Sequence, residues 1–155
     1  MRAAIALGSN LSSAYGDPSA TVREAMLQLR TLGTVQAVSS LYRTAPVGYV
    51  DQPDFVNAAA VLETDLSALP LLRALLALEQ NFGRDRTAGP AKGPRTLDLD
   101  LLLYGQQVLA EPELILPHPA MRERRFVLEP LAEIAPEWMY PGSDRSVAEL
   151  LAALP

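Results

Sequence analysis

Hydrophobic and polar positions alternate with two different periods along this chain, and the switches between them mark the elements. Ala3–Leu7 is a short apolar run that predicts a first strand, closed by Gly8. Asp17-Pro18 has the form of a helix start, an acidic N-cap followed by proline at the first helical position. Val22, Ala25, Met26 and Leu29 then recur at helical spacing as far as Leu32, and Gly33 stands where that helix should end. Thr34–Tyr42, β-branched and serine-rich, predicts a second strand. Thr44–Asp54 holds two prolines, a glycine and two aspartates, the composition of a loop. Phe55–Glu63 predicts a third strand. Ser67 is placed to cap a helix that runs to Phe82 and ends at Gly83, with Leu71, Leu75, Leu78 and Phe82 as its buried stripe. Pro70 is tolerable in its first turn.

The second half repeats the alternation. Residues Arg84–Pro94 predict another glycine- and proline-bearing loop. Leu97–Tyr104 predicts a strand, with a tight turn at Gly105-Gln106 and a partner strand near Val108. Pro117–Pro119 predicts a rigid bend before a short helix around Ala120–Arg124. Ser146-Val147-Ala148-Glu149 is a capping box that opens a C-terminal helix. Hairpins are as evident as crossovers, so the pattern favours one α+β domain over residues 1–155, with a largely antiparallel sheet and helices on its faces.

The strand after the second loop carries the most informative residues. Gly93-Pro94-Arg95-Thr96-Leu97-Asp98-Leu99-Asp100 ends in two aspartates at i and i+2. Alternate side chains of a strand share a face, so Asp98 and Asp100 project the same way. Two like charges about 6 Å apart repel by roughly 3 kcal/mol at an effective dielectric of ~20. A cation between the carboxylates relieves that repulsion. Few, hard oxygen ligands suit Mg²⁺ that also binds substrate phosphates. Arg95 is placed to meet phosphate oxygens as a bidentate donor. The competing reading is an exposed strand face with solvated acids, and the neighbouring Gly-Pro-Arg and apolar strand weigh against it.

Composition narrows the field. The chain has 155 residues, 49% of them hydrophobic and 20% charged, as in a globular domain. Its net charge of −5 argues against a nucleic-acid or membrane-surface binder. Cysteine is absent, which removes disulfides and thiolate metal sites. His118 is the one histidine, too few for a histidine-rich zinc site. No signal peptide is visible, and Leu71–Leu78 is too short to span a bilayer, so a cytoplasmic protein is expected. Positive charge concentrates at Arg84, Arg86, Lys92 and Arg95, and again at Arg122, Arg124 and Arg125. Two such clusters in an acidic protein suit a small polyanion.

No P-loop, Rossmann or nucleophile-elbow signature is present. What is present forms an ordered set. Gly8-Ser9-Asn10 follows the first strand. Tyr42-Arg43-Thr44 leads through Pro46 and Gly48 to Asp51-Gln52-Pro53-Asp54-Phe55-Val56-Asn57-Ala58. Gly83-Arg84-Asp85-Arg86 leads to the Gly93–Asp100 run. Leu116-Pro117-His118-Pro119-Ala120-Met121, Arg124 and Phe126-Val127-Leu128-Glu129-Pro130-Leu131 follow. From Ala3 to about Pro141, this set resembles the 6-hydroxymethyl-7,8-dihydropterin pyrophosphokinases of folate biosynthesis.

That resemblance implies a ferredoxin-like fold and transfer of diphosphate from ATP to the pterin hydroxymethyl group, with AMP released. It implies two Mg²⁺ ions on Asp98 and Asp100, and catalytic arginines at Arg84 and Arg95. It places ATP contacts at Glu79, Arg86, Leu101, His118 and Arg124, and the pterin pocket at Thr44, Val47, Phe55, Asn57 and Phe126. The chemistry agrees: Phe55 and Phe126 can sandwich a flat heteroaromatic ring, and Asn57 offers a donor and an acceptor to its edge. Thr44–Asp54 and Arg84–Pro94 are then expected to move without ligand and close over the bound pair. The partners implied are these small molecules, with no nucleic acid or membrane, and a monomer is expected. The chain departs from the family at Thr44-Ala45-Pro46, where two prolines often stand, and at Phe55, where tyrosine is frequent. Leu76 stands where some members have glutamine, and a tryptophan of the second loop is missing. Two other readings compete: another Mg²⁺-dependent phosphoryl or nucleotidyl transferase, and a non-catalytic ferredoxin-like module for single-stranded RNA. The second needs exposed strand aromatics and a basic face, which this chain lacks.

Overall fold

The computed structural model describes residues 1–46, 51–83 and 96–155. Seven strands are described: β1 Arg2–Ser9, β2 Thr34–Val38, β3 Tyr42–Thr44, β4 Phe55–Glu63, β5 Asp98–Tyr104, β6 Leu109–Ala110 and β7 Ile115–Leu116. The α-helices are α1 Pro18–Gln28, α2 Ala68–Asn81, α3 Arg125–Ile134 and α4 Val147–Ala152. The main sheet has the order β2-β4-β1-β5, with β3 also paired to β4, and every pairing is antiparallel. This is the expected α+β, ferredoxin-like architecture.

Side-chain alternation explains why both faces of the sheet are covered. Ala3, Ile5 and Leu7 of β1 join Val56, Ala58, Ala60 and Leu62 of β4 on one face. There they meet Val22, Ala25 and Leu29 of the first helical segment and Leu71, Leu75, Leu78 and Phe82 of the second. Ala4, Ala59 and Val61 point to the other face and pack against Val127, Leu128 and Leu131 of α3 and Val147 and Leu150 of α4. A bulge in the β1–β5 ladder sets Ala4 opposite Leu103 but Ile5 opposite Leu101. The extra residue lets Leu102 and Leu103 both enter the second core. Asp98 and Asp100 lie before the bulge and keep strict alternation.

The helix starts behave as their sequences predict, with one exception. The Asp17 carboxylate accepts from Ala20 N at 2.9 Å, and Ser146 and Glu149 form a reciprocal capping box. Ser67 sits at the N-cap of α2 with extended backbone, but its side chain makes no capping bond. The first helix tightens into a 3-10 turn at Leu29–Thr31 before Leu32.

Three expectations need correction. The predicted strand Thr34–Tyr42 is two strands. Ser39 N donates to Ala59 O and Ser39 Oγ accepts from Ala59 N, while Ser40 N turns to Glu133. Side chains that bond nearby backbone in this way compete with a regular ladder. The strand after Gly105 does not fold back on β5: Leu109–Ala110 pairs with Ile115–Leu116 instead. The Leu102 carbonyl on the outer side of β5 accepts from His118 N, so the chain after β7 occupies that edge. The short helix around Ala120–Arg124 is a 3-10 turn, Met121–Glu123, followed by the unpredicted α3. Pro130 lies inside α3, and its missing N–H argues against a helix locally. Burial of Val127, Leu128 and Leu131 outweighs that cost, since helix stability in proteins comes mostly from packing.

Gly33 has a role its position after a helix did not reveal. Its φ is not in the left-handed region; a Cβ there would lie 2.1 Å from the Glu63 carbonyl oxygen. The glycine lets the chain cross the end of β4 at backbone distance. Gly33→Ala should therefore lose about 1–3 kcal/mol or more through overpacking, read as a lower denaturant midpoint. An unchanged midpoint would mean that the end of β4 yields freely.

Candidate active site

The sheet register carries residues far apart in sequence into rows. Gly8 of β1 faces Asn57 on one side and Asp98 on the other. One row further along, Ala6 faces Ala59 and Asp100. Cross-strand partners share a face, so Asn57, Asp98 and Asp100 all point to the side covered by α3. Glycine and alanine between them leave that face hollow. A cavity of about 450 Å³ results, lined by Thr44, Ala45, Phe55, Asn57, Asp98, Asp100, Glu123, Arg124, Phe126 and Val127 over a floor of Ala6, Leu7 and Gly8. Phe55 of β4 and Phe126 of α3 give it aromatic walls, and β5 supplies the carboxylates of Asp98 and Asp100.

Polar contacts order this cavity. Asn57 Nδ2 donates to Thr44 Oγ1, which ties the amide to β3. A Cβ on Gly8 would come within 2.9 Å of Asn57 Oδ1, so the glycine is what gives the amide its room. Arg124 places its guanidinium 5.6 Å from the centre of the Phe126 ring. Asn10, almost fully buried, donates from Nδ2 to Gln52 Oε1 at 2.9 Å and to the Pro53 carbonyl at 3.0 Å. These bonds tie the approach to Phe55 against the end of β1.

A second cavity, of about 430 Å³, opens at the other face of β5. Leu72 and Leu76 of α2, Leu99 and Leu101 of β5, the Pro112–Ile115 turn and His118 line it, and Asp100 lines it too. Asp100 thus borders both cavities. β5 ends the main sheet, and the second cavity opens beside it.

His118 is held below the ordinary imidazole value by burial first and by Arg124 second, with Asp98 pulling the other way. Its Nδ1 accepts from Ala120 N at 3.3 Å, so the neutral ring carries its proton on Nε2. Glu79, expected at the nucleotide, is 1% exposed and takes Leu99 N at 2.7 Å on Oε2; it lines neither cavity. Its carboxylate holds the start of β5. Among the described residues no three acidic or histidine side chains cluster for metal binding. A cation on Asp98 and Asp100 would therefore complete its shell with substrate and water oxygens, as Mg²⁺ does.

Of the expected site residues, Thr44, Phe55, Asn57, Asp98, Asp100, Arg124 and Phe126 share the first cavity, and Leu101 and His118 line the second. Val47, Arg84, Arg86 and Arg95 lie outside the described residues. The sequence reading did not name Gly8, Ala45, Glu123 or Val127 as site residues. A glycine inside an apolar strand was the available signal for Gly8. Nothing in the sequence marked Glu123.

A family model for 7,8-dihydro-6-hydroxymethylpterin-pyrophosphokinase (HPPK) matches residues 4–136. The chain belongs to this family. It is 46% identical over 156 aligned positions to the 2-amino-4-hydroxy-6-hydroxymethyldihydropteridine pyrophosphokinase of Pseudomonas aeruginosa, covering 99% of this chain and 92% of that one. The Bacillus subtilis enzyme of the same name is 46% identical over 132 positions, covering 84% and 75%. Among solved structures, Plasmodium falciparum HPPK-DHPS with pteroate superposes with a TM-score of 0.76 at 13% identity. That match spans 97% of this chain and 44% of the longer one, and it shows the shared fold.

The state of His118 gives a direct check on this HPPK-family site. The unfolded imidazole takes up its proton as pH falls through about 6.5, and the native ring only at lower pH. The native state then binds fewer protons, so stability falls with pH below about 6.5 and is unaffected above it. As the only histidine, His118 gives one imidazole signal by NMR, and its midpoint should lie below 6.5. A midpoint at or above that value would contradict the buried, neutral assignment.

Proposed function

We infer that this HPPK-family chain transfers a diphosphate from ATP to the hydroxymethyl group of 6-hydroxymethyl-7,8-dihydropterin, releasing AMP, in folate biosynthesis. One observation carries the reading beyond family membership: Asp100 borders an aromatic-walled cavity and an apolar one on the other side of β5. A pterin in the first and a nucleobase in the second would bring hydroxymethyl and triphosphate together beside the two carboxylates. Cavities of about 430–450 Å³ suit ligands of this size.

Release of AMP requires the hydroxymethyl oxygen to attack the β-phosphorus as the bond to the α-phosphate bridge breaks. Phe55 and Phe126 hold the ring by its faces, and Asn57, steadied by Thr44, reads its edge. His118 donates from Nε2 toward the nucleotide, and Arg124 supplies positive charge beside the transferred group. Asp98 and Asp100 would hold Mg²⁺, two ions in this proposal, which would supply charge neutralisation for the phosphates. Arg84 and Arg95 complete the proposal as catalytic arginines, Arg86 as an ATP contact and Val47 as a pterin contact. The expected loop Arg84–Pro94, and residues 47–50 of the expected loop Thr44–Asp54, lie outside the described residues. A single domain over 1–155, acting as a cytoplasmic monomer, belongs to the same proposal; no described helix is long and apolar enough to cross a membrane.

Incubation with ATP, Mg²⁺ and the hydroxymethyl dihydropterin should yield the pterin diphosphate by mass, with AMP. Production of ADP instead would point to a different phosphoryl transferase. Asp98→Ala and Asp100→Ala should each lower turnover on the order of 10³-fold, about 4 kcal/mol of transition-state stabilisation, with the fold retained. Near-normal turnover in both would remove the metal assignment.

Asn57→Ala should weaken pterin binding by ~1–3 kcal/mol while sparing ATP, because buried ring-edge groups lose their partner. Gly8→Ala should act in the same direction by displacing the Asn57 amide. Calorimetry with each ligand checks both variants, and equal losses for pterin and ATP would indicate a structural role.

A further inference from the structure

A cluster that joins α3 to β3, outside the lining of the first cavity, is used by none of the chemistry above. Glu133, in the last turn of α3, accepts four hydrogen bonds from the chain around β3. Ser40 N reaches Oε1 and Oε2 at 3.1 and 3.0 Å, Ser40 Oγ reaches Oε2 at 3.2 Å, and Tyr42 Oη reaches Oε1 at 2.6 Å. The contact joins residues more than ninety positions apart.

What it joins matters for the site. Tyr42 is the cross-strand partner of Asn57, and Thr44 that of Phe55. Three residues long and paired only to β4, β3 is too short to hold itself rigidly. It nevertheless supplies Thr44, the partner of Asn57, and leads into Ala45. Phe126, the opposite wall, lies seven residues before Glu133, two helical turns along the same side of α3. A carboxylate fixed to Ser40 and Tyr42 therefore sets the spacing between the strand wall and the helix wall.

We propose that Glu133 is a positioning residue for pterin binding, clamping β3 to α3 through Ser40 and Tyr42 so that Thr44 and Asn57 face Phe126 at ring-binding distance. The role rests on the pterin reading of the first cavity. The electrostatics agree with a strong contact. The Tyr42 hydroxyl is pushed up to about 12, chiefly by its bond to Glu133, then by burial and by the charges of Glu133 and Glu129. The Glu133 carboxyl is held below its usual value, chiefly by the Tyr42 bond. Charge-assisted O–H···O⁻ bonds of this length are among the stronger ones proteins make.

The test uses the full chain and its Tyr42→Phe, Glu133→Gln and Glu133→Ala variants. Dissociation constants are measured for 6-hydroxymethylpterin and, separately, for a non-hydrolysable ATP analogue, together with denaturant midpoints. Glu133→Ala should weaken pterin binding about tenfold, with Tyr42→Phe intermediate and ATP-analogue binding within about twofold of the parent. Glu133→Gln keeps an acceptor for Ser40 and should recover part of the loss. The Tyr42→Phe/Glu133→Ala double variant should fall short of the sum of the single effects. Equal weakening of both ligands, or loss of stability with unchanged pterin binding, overturns the proposal. If Glu133→Ala does not fold, Tyr42→Phe and Glu133→Gln decide by the same criterion. Failure of the unsubstituted chain to bind 6-hydroxymethylpterin would instead sink the pterin reading, and the positioning role with it.

Discussion

Asp98 and Asp100 leave the same face of β5, one row apart in the sheet, and the surroundings of that pair shape the rest of the site. Carboxylates so placed repel each other by roughly 3 kcal/mol at an effective dielectric of ~20. They are tolerated because the face they share is hollow and not packed. Gly8 and Ala6 stand opposite them on β1, and α3 covers that face from beyond Phe126 and Val127. Had β1 carried large residues at these two positions, the acids would be buried among them without solvent or ligand. The same small residues that make the charges bearable also make the cavity.

The position of β5 at the edge of the sheet does the second half of the work. A central strand has two covered faces and no open side. Here one residue of the terminal strand, Asp100, borders both cavities. The two cavities share Asp100 but no other lining residue. Glu79 and His118 hold that edge in place: the first binds Leu99 N from beneath, and the second donates its backbone N–H to the Leu102 carbonyl. Burial of Glu79 is tolerable because its carboxylate has the backbone donor it needs.

Rigidity and adaptability are divided along the chain. The sheet centre is locked by the pairing of β1 with β4 and β5. The cavity wall on β3 depends instead on a few polar contacts: Asn57 with Thr44, Asn10 with Gln52 and Pro53, and Glu133 with Ser40 and Tyr42. Polar contacts of this kind are directional, so they fix distances that apolar packing alone leaves loose.

Local chemistry was enough to place much of this in the sequence. The run Phe55–Glu63 was expected as a strand with the bounds it has, and an acid before a proline located the start of α1. A serine three residues before a glutamate located α4. The same-face projection of Asp98 and Asp100 follows from strand geometry alone, and Phe55, Asn57 and Phe126, which share the first cavity, were named through the resemblance. Tertiary structure decided the remainder. Packing of Val127, Leu128 and Leu131 made a helix across Pro130, and competition for the edge of β5 sent Leu109–Ala110 to Ile115–Leu116. Side-chain bonds from Ser39 and Ser40 broke one expected strand into two. Backbone approach, not backbone twist, gave Gly33 its purpose. Each of these depends on which surfaces meet across long sequence separations, and no local pattern carries that information. The clamp of Glu133 on Tyr42 is the clearest instance: residues 91 positions apart become neighbours only when α3 settles on the sheet.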